Sequence, residues 1–112
     1  MRRMADMLLS QFGGRLRIAI SGGAALNHKV ARAFCGLGLP IIQGYGMTEV
    51  SSAATVAAGL DNKPGSVGIP MVNTVVAAFE PGTDQELPIG QRGELCISGP
   101  CLMKGYYNKP EE

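Results

Sequence analysis

The chain has 112 residues, 17% of them charged, and a net charge of +1. That length suits one domain with a real core, while the scattered charge leaves no electrostatic footprint for nucleic acid and no apolar run reaches the roughly 18 residues that span a bilayer. Three cysteines and one histidine, with no zinc spacing, argue against a metal cluster or a disulfide framework and predict reduced, mostly buried thiols in a cytoplasmic protein.

Residues 2–12 read as an amphipathic helix with Met4, Leu8 and Phe12 near one face, closed by Gly13-Gly14. Asp6 and Gln11 interrupt its apolar stretch, so it does not read as a signal peptide. Arg15 to Ile20 alternate, with Leu16, Ile18 and Ile20 on one side and Arg15, Arg17 and Ala19 on the other, which predicts a strand. Ser21-Gly22-Gly23 then turns the chain. Asn27 is placed to cap a helix over 28–37, where Val30, Phe34 and Leu37 share a face, His28, Lys29 and Arg32 stay polar, and Gly36 and Gly38 end it. Leu39 to Ile42 is a short apolar run that fits a buried strand.

A strand, a helix and a second strand in that order favour a parallel pair, whose ligands sit beyond the carboxyl ends of the strands. Both Ser21-Gly22-Gly23-Ala24-Ala25-Leu26 and the segment Gln43 to Glu49 fall at that edge. From Gly59 to Pro70 the chain is loop-rich, with Asn62, Pro64-Gly65 and Gly68-Ile69-Pro70. Val72–Phe79 and Gly93–Ser98 then read as antiparallel strands, and the stretch from Gly99 to Glu112 is turn-rich. The expected fold class is α/β: a strand–helix–strand portion of a parallel sheet over residues 1–58, followed by a mostly antiparallel β portion over 59–112.

The densest chemistry lies in Gln43-Gly44-Tyr45-Gly46-Met47-Thr48-Glu49. The glycines allow close backbone approach to a ligand, Tyr45 offers a flat face to a planar ring, Thr48 can donate to a phosphate oxygen, and Glu49 is a hard oxygen ligand of the kind Mg²⁺ accepts. Ring, phosphate and metal together suggest a nucleotide. The alternative is a tight turn between a strand and a short helix, with Glu49 favoured in the first helical turn. Gly22-Gly23-Ala24 fits neither a dinucleotide fingerprint nor a P-loop, and serves equally as a ligand border or a plain turn. Lys104 reads as a solvated turn charge, and Tyr106 and Tyr107 as residues packing a domain edge.

Five blocks in order carry a resemblance: Ile20 to Leu26, Gly44 to Glu49, Gly65 to Pro70, Gly93 to Pro100, and Met103 to Glu111. The series resembles the adenylate-forming enzymes, among them acyl-CoA synthetases, luciferases and peptide-synthetase adenylation domains. The stretches Gly13 to Leu26 and Gly36 to Glu49 are most similar to the bacterial long-chain fatty acid–CoA ligase branch. The resemblance implies an enzyme that joins a carboxylate to ATP, releases pyrophosphate, and passes the acyl group from AMP to coenzyme A. It implies that Gly22, Gly23 and Ala24 border the adenine, that Tyr45 stacks on it, and that Gln43, Gly44, Gly46 and Met47 complete the pocket where adenine and acyl chain meet. Thr48 would bind phosphate and, with Glu49, serve catalysis; Glu49 would also help hold Mg²⁺. A fatty acid or other carboxylate is the implied substrate. Ala25 stands where many relatives have proline. The family's Ser/Thr/Gly-rich phosphate loop and its ribose-binding aspartate lie in neither half of this sequence. The chain therefore reads as an internal piece of a longer synthetase, inactive by itself, prone to self-association through exposed strand edges. The resemblance leaves open a peripheral membrane association of the whole protein.

Overall fold

The computed structural model describes residues 2–57, 63 and 65–111. The elements are α1 (Arg2–Gln11), β1 (Ala19–Ser21), α2 (His28–Gly36), β2 (Ile41–Tyr45), a single 3₁₀ turn (Thr48–Val50), β3 (Thr55–Val56), β4 (Ile69–Pro70), β5 (Val75–Phe79) and β6 (Glu94–Ser98). One sheet runs β1-β2-β3-β4 and a second is the pair β5-β6. The expected mixture of a partly parallel sheet and an antiparallel one is what the chain adopts. By contacts it forms two units, Met1–Tyr45 with Thr55–Ile69, and Gly46–Ala54 with Pro70–Glu112. The boundary expected between residues 58 and 59 lies outside the described residues, as do Gly59, Asn62 and Pro64.

In the first unit both helices stop where the sequence predicts. The Gly13 and Gly14 amides return to Ser10 and Leu9, and those of Gly38 and Leu39 to Cys35 and Phe34, at 2.9–3.0 Å. This is the Schellman arrangement, which needs a residue at positive φ after the helix; Gly38 supplies it at +87°. Leu39, next in line, is 3% exposed and closes the helix end against the core. At the other end the Asn27 side chain accepts from the Lys29 amide at 2.9 Å, so the expected cap is present.

β1 and β2 are parallel, with Ala19 opposite Ile41 and Ser21 opposite Gln43. The six-residue strand expected from Arg15 is only three residues long. The register sets Ile18 opposite Pro40, which has no amide hydrogen to continue the ladder, so pairing begins at the Ala19 amide and the Pro40 carbonyl, 3.0 Å apart. Within the strand Ile20 is 73% exposed, while Ala19 and Ser21 are half-buried. β2 starts two residues later than expected and runs to Tyr45. Its last two residues pair antiparallel with β3, Gly44 opposite Val56 and Tyr45 opposite Thr55. β3 and β4 were not anticipated; two-residue strands show no alternation to read.

In the second unit β5 and β6 pair antiparallel over five residues, as expected. β5 starts at Val75 rather than Val72, because Asn73 takes φ +62° in a turn that the Thr74 amide closes on the Met71 carbonyl at 3.0 Å. The core of this unit centres on Val50 and Ala54, 2% and 0% exposed. Among the described residues the thiols are free, as expected, but Cys35 and Cys96 are exposed and Cys101 half-buried, which corrects the expectation of mostly buried cysteines. No helix among the described residues is long and apolar enough to cross a membrane.

Candidate functional site

The residues singled out in the sequence divide between the two units. In the first, Ser21 ends β1 and Gly22-Gly23-Ala24 forms the bend beyond its carboxyl end, as a parallel pair requires of a ligand border. A side chain built on Gly22 would meet the Gly44 carbonyl at 3.5 Å, so this bend lies against the end of β2. Ala24 is exposed. Gln43 is buried in β2, Gly44 follows with its Cα facing the Thr55 carbonyl, and Tyr45 ends the strand half-buried. Gln43, Gly44 and Tyr45 are therefore strand residues; the tight turn of the alternative reading starts only at Gly46.

In the second unit Gly46 and the extended Met47 lead into the 3₁₀ turn. The Val50 and Ser51 amides bond back to Met47 and Thr48 at 3.2 and 3.1 Å. Val50 points into the core and anchors the turn, which leaves Thr48 exposed and Glu49 half-exposed. The turn is closed by Ser51 and Ser52 at φ +54° and +89°, a conformation that costs an L-residue of order 1 kcal/mol or more.

Glu49 is held twice. Its carbonyl accepts from the Met103 amide at 2.8 Å, and its Oε1 accepts from the Tyr106 hydroxyl at 2.5 Å. The phenol's donation, helped by the residue's own main-chain amide and opposed by slight desolvation, holds the Glu49 carboxyl below the usual carboxylate range. The same bond, with desolvation and the carboxylate's charge, pushes the Tyr106 phenol up. A lowered carboxyl favours the fold above its unfolded value and loses that contribution as pH falls through the folded value; a raised phenol favours it below its unfolded value and loses that as pH rises through the folded one. The pair is thus intact across neutral pH. In a ¹³C-glutamate NMR titration, Glu49 should titrate below the usual carboxylate range, and Tyr106→Phe should raise its midpoint. Equal midpoints with and without the hydroxyl would contradict the bond.

Among the described residues no three His, Cys, Asp or Glu side chains gather as a cage for a metal. One exposed-side carboxylate beside a hydroxyl suits Mg²⁺, which keeps several waters and takes one or two carboxylates plus phosphate oxygens. Glu49 and Thr48 fit that donor set. Tyr106 is the residue the sequence did not reveal: it was expected at a domain edge, and nothing in its spacing links it to a carboxylate 57 positions away. Tyr107 is 92% exposed, which corrects the same expectation. Lys104 is exposed, as expected, although it lies in irregular chain rather than in a turn, and His28 is an exposed helix residue.

A family model described as AMP-binding enzyme matches residues 1–107. The chain is 44% identical over 95 residues to luciferin 4-monooxygenase of Photinus pyralis, covering 81% of this chain and 17% of that one. It is 39% identical over 98 residues to feruloyl-CoA synthase of Amycolatopsis sp., covering 86% and 20%. The crystal structure of ATP-bound MatB from Rhodopseudomonas palustris superposes with a TM-score of 0.77 at 33% identity, over 90% of this chain and 20% of that one. The chain thus spans about a fifth of the length of the curated relatives it matches.

Proposed function

Because this chain belongs to the AMP-binding enzyme family, we propose that the protein activates a carboxylic acid with ATP and passes the acyl group to coenzyme A. In this reading a carboxylate oxygen attacks the α-phosphorus of ATP, the bond to the β-phosphate oxygen breaks, and pyrophosphate leaves. The thiolate of coenzyme A then attacks the acyl carbon of the mixed anhydride and AMP departs. The observation that carries the reading is Glu49, three residues beyond the Gly-Tyr-Gly segment, whose carboxylate accepts from the Tyr106 phenol and whose main-chain carbonyl accepts from the Met103 amide.

The roles proposed for this chain's residues come from the family resemblance, and their chemistry suits them. Gly22, Gly23 and Ala24 give a border without bulky side chains, and Tyr45 a ring for the adenine to stack on. By the family resemblance, Gln43, Gly44, Gly46 and Met47 are proposed to contact the nucleotide or the acyl chain. The Thr48 hydroxyl donates to a phosphate oxygen, and Glu49 with Thr48 would hold Mg²⁺. That ion, when bound, neutralises charge on the phosphate oxygens, which is the main requirement of phosphoryl chemistry.

For the substrate we infer a long-chain fatty acid, supported by the likeness of Gly13 to Leu26 and Gly36 to Glu49 to that branch. A second reading, an aryl acid, is favoured by the 39% identity to feruloyl-CoA synthase. Acid-dependent ATP–pyrophosphate exchange by the whole protein tests both. Palmitate driving exchange at least about tenfold better than ferulate is the expected result, and the reverse order would transfer the assignment to aryl acids. No exchange with any carboxylic acid would remove the proposal. The 112-residue chain on its own should give no acyl-CoA, and its many exposed apolar side chains, Met7, Val72 and Ile89 among them, should make it self-associate in sedimentation runs.

A further inference from the structure

We propose that Tyr106 is a positioning residue that sets the Glu49 carboxylate for a phosphate-bound divalent cation, an inference that rests on the metal role of Glu49 proposed above. Three bonds fasten the 3₁₀ turn and its exit to the segment Cys101 to Tyr106. The Ser51 hydroxyl donates to the Cys101 carbonyl at 2.8 Å, the Met103 amide donates to the Glu49 carbonyl at 2.8 Å, and the Tyr106 hydroxyl donates to Glu49 Oε1 at 2.5 Å. Two of them fix the main chain of the turn and its exit. Only the third reaches the functional group.

The chemistry of that third contact matters. A lysine or arginine in the same place would orient the carboxylate but neutralise it, weakening its hold on a cation. A phenol orients it and leaves the full negative charge. Among the described residues Tyr106 is the one side chain bonded to Glu49, so Oε2 keeps its lone pairs for water or a cation. The phenol itself stands on a fixed base, because Tyr106 and Lys109 bridge in a tight turn, with the Lys109 amide 3.2 Å from the Tyr106 carbonyl and Asn108 at φ +56°. A glutamate left to rotate would have to be ordered when the cation arrives, and ordering it beforehand removes that entropy cost from binding.

The test compares Tyr106→Phe, Ser51→Ala and Glu49→Gln in the whole protein. Mn²⁺ replaces Mg²⁺ as a spectroscopic probe, titrated by electron paramagnetic resonance in the presence of a non-hydrolysable ATP analogue. Partners that orient a metal ligand are typically worth 10- to 100-fold in affinity. Tyr106→Phe should therefore weaken Mn²⁺ binding about tenfold and raise the Mg²⁺ concentration for half-maximal pyrophosphate release by a similar factor, with the rate recovered at saturating Mg²⁺. Ser51→Ala, which cuts a structural fastening and leaves the carboxylate bond, should bind Mn²⁺ as the wild type does. Tyr106→Phe with wild-type Mn²⁺ affinity would overturn the positioning role, as would Ser51→Ala weakening binding equally. Glu49→Gln with unchanged Mn²⁺ affinity would remove the metal role of Glu49 instead, a failure separable from the other two.

Discussion

Gly46→Ala should destabilise the protein by about 3 kcal/mol or more, at the upper end of what overpacking costs. A Cβ at this position would lie 1.8 Å from the Ser52 carbonyl oxygen, 2.5 Å from its carbon and 2.7 Å from the Ala53 Cα. All three are backbone atoms, so no rotamer change relieves the clash. The segment that would have to move is already committed: Ser51 and Ser52 stand at positive φ, the Ser52 amide bonds the Met47 carbonyl at 3.2 Å, and Ser51 is fastened to Cys101. Pushing it outward would drag Val50 and Ala54, the two most deeply buried side chains of the unit, toward solvent. Gly36→Ala is the matched control. It lies in α2 with nothing within 4 Å of the added carbon, so it should be neutral or stabilise by up to about 1 kcal/mol. Denaturant midpoints measure both. A Gly46→Ala midpoint matching that of the wild type would mean that Gly46 is kept for its ligand-facing role alone.

The same loop shows where sequence reasoning ends. The helix stops at Gly13 and Gly38 and the cap at Asn27 were legible because each device uses a residue type that does little else. The parallel pairing of β1 with β2 was legible from alternation, an apolar run and an intervening helix. Its length was not, because Pro40 limits β1 only through a register that a single strand does not reveal. Ser51 and Ser52 carry the left-handed turn without glycine or asparagine, so no local signal marks it. The site divides in the same way. Tyr45, Thr48 and Glu49 could be nominated because their chemistry is crowded into seven residues. Tyr106 acts across 57 positions through one hydroxyl, and pairings at that range belong to the fold rather than to any window of sequence.

Glu49→Gln in the whole protein should slow pyrophosphate release by roughly 10²–10³-fold, the range seen when one preorganised electrostatic group is removed from a reaction centre. The substitution changes charge and almost nothing else. The amide oxygen of glutamine can still accept from the Tyr106 hydroxyl, and the Met103 amide still meets the main-chain carbonyl of residue 49, so both fastenings survive. Only the charge-assisted part of the Tyr106 bond is given up, so thermal unfolding should shift little while the rate collapses, and higher Mg²⁺ should not restore it. That last point separates this variant from Tyr106→Phe, which keeps the charge, loses only its orientation and should recover when Mg²⁺ saturates. If Glu49 were merely a favoured residue in the first turn of a short helix, its replacement would lower stability slightly and leave the rate alone. A Glu49→Gln protein that releases pyrophosphate at the wild-type rate would decide for that plainer role.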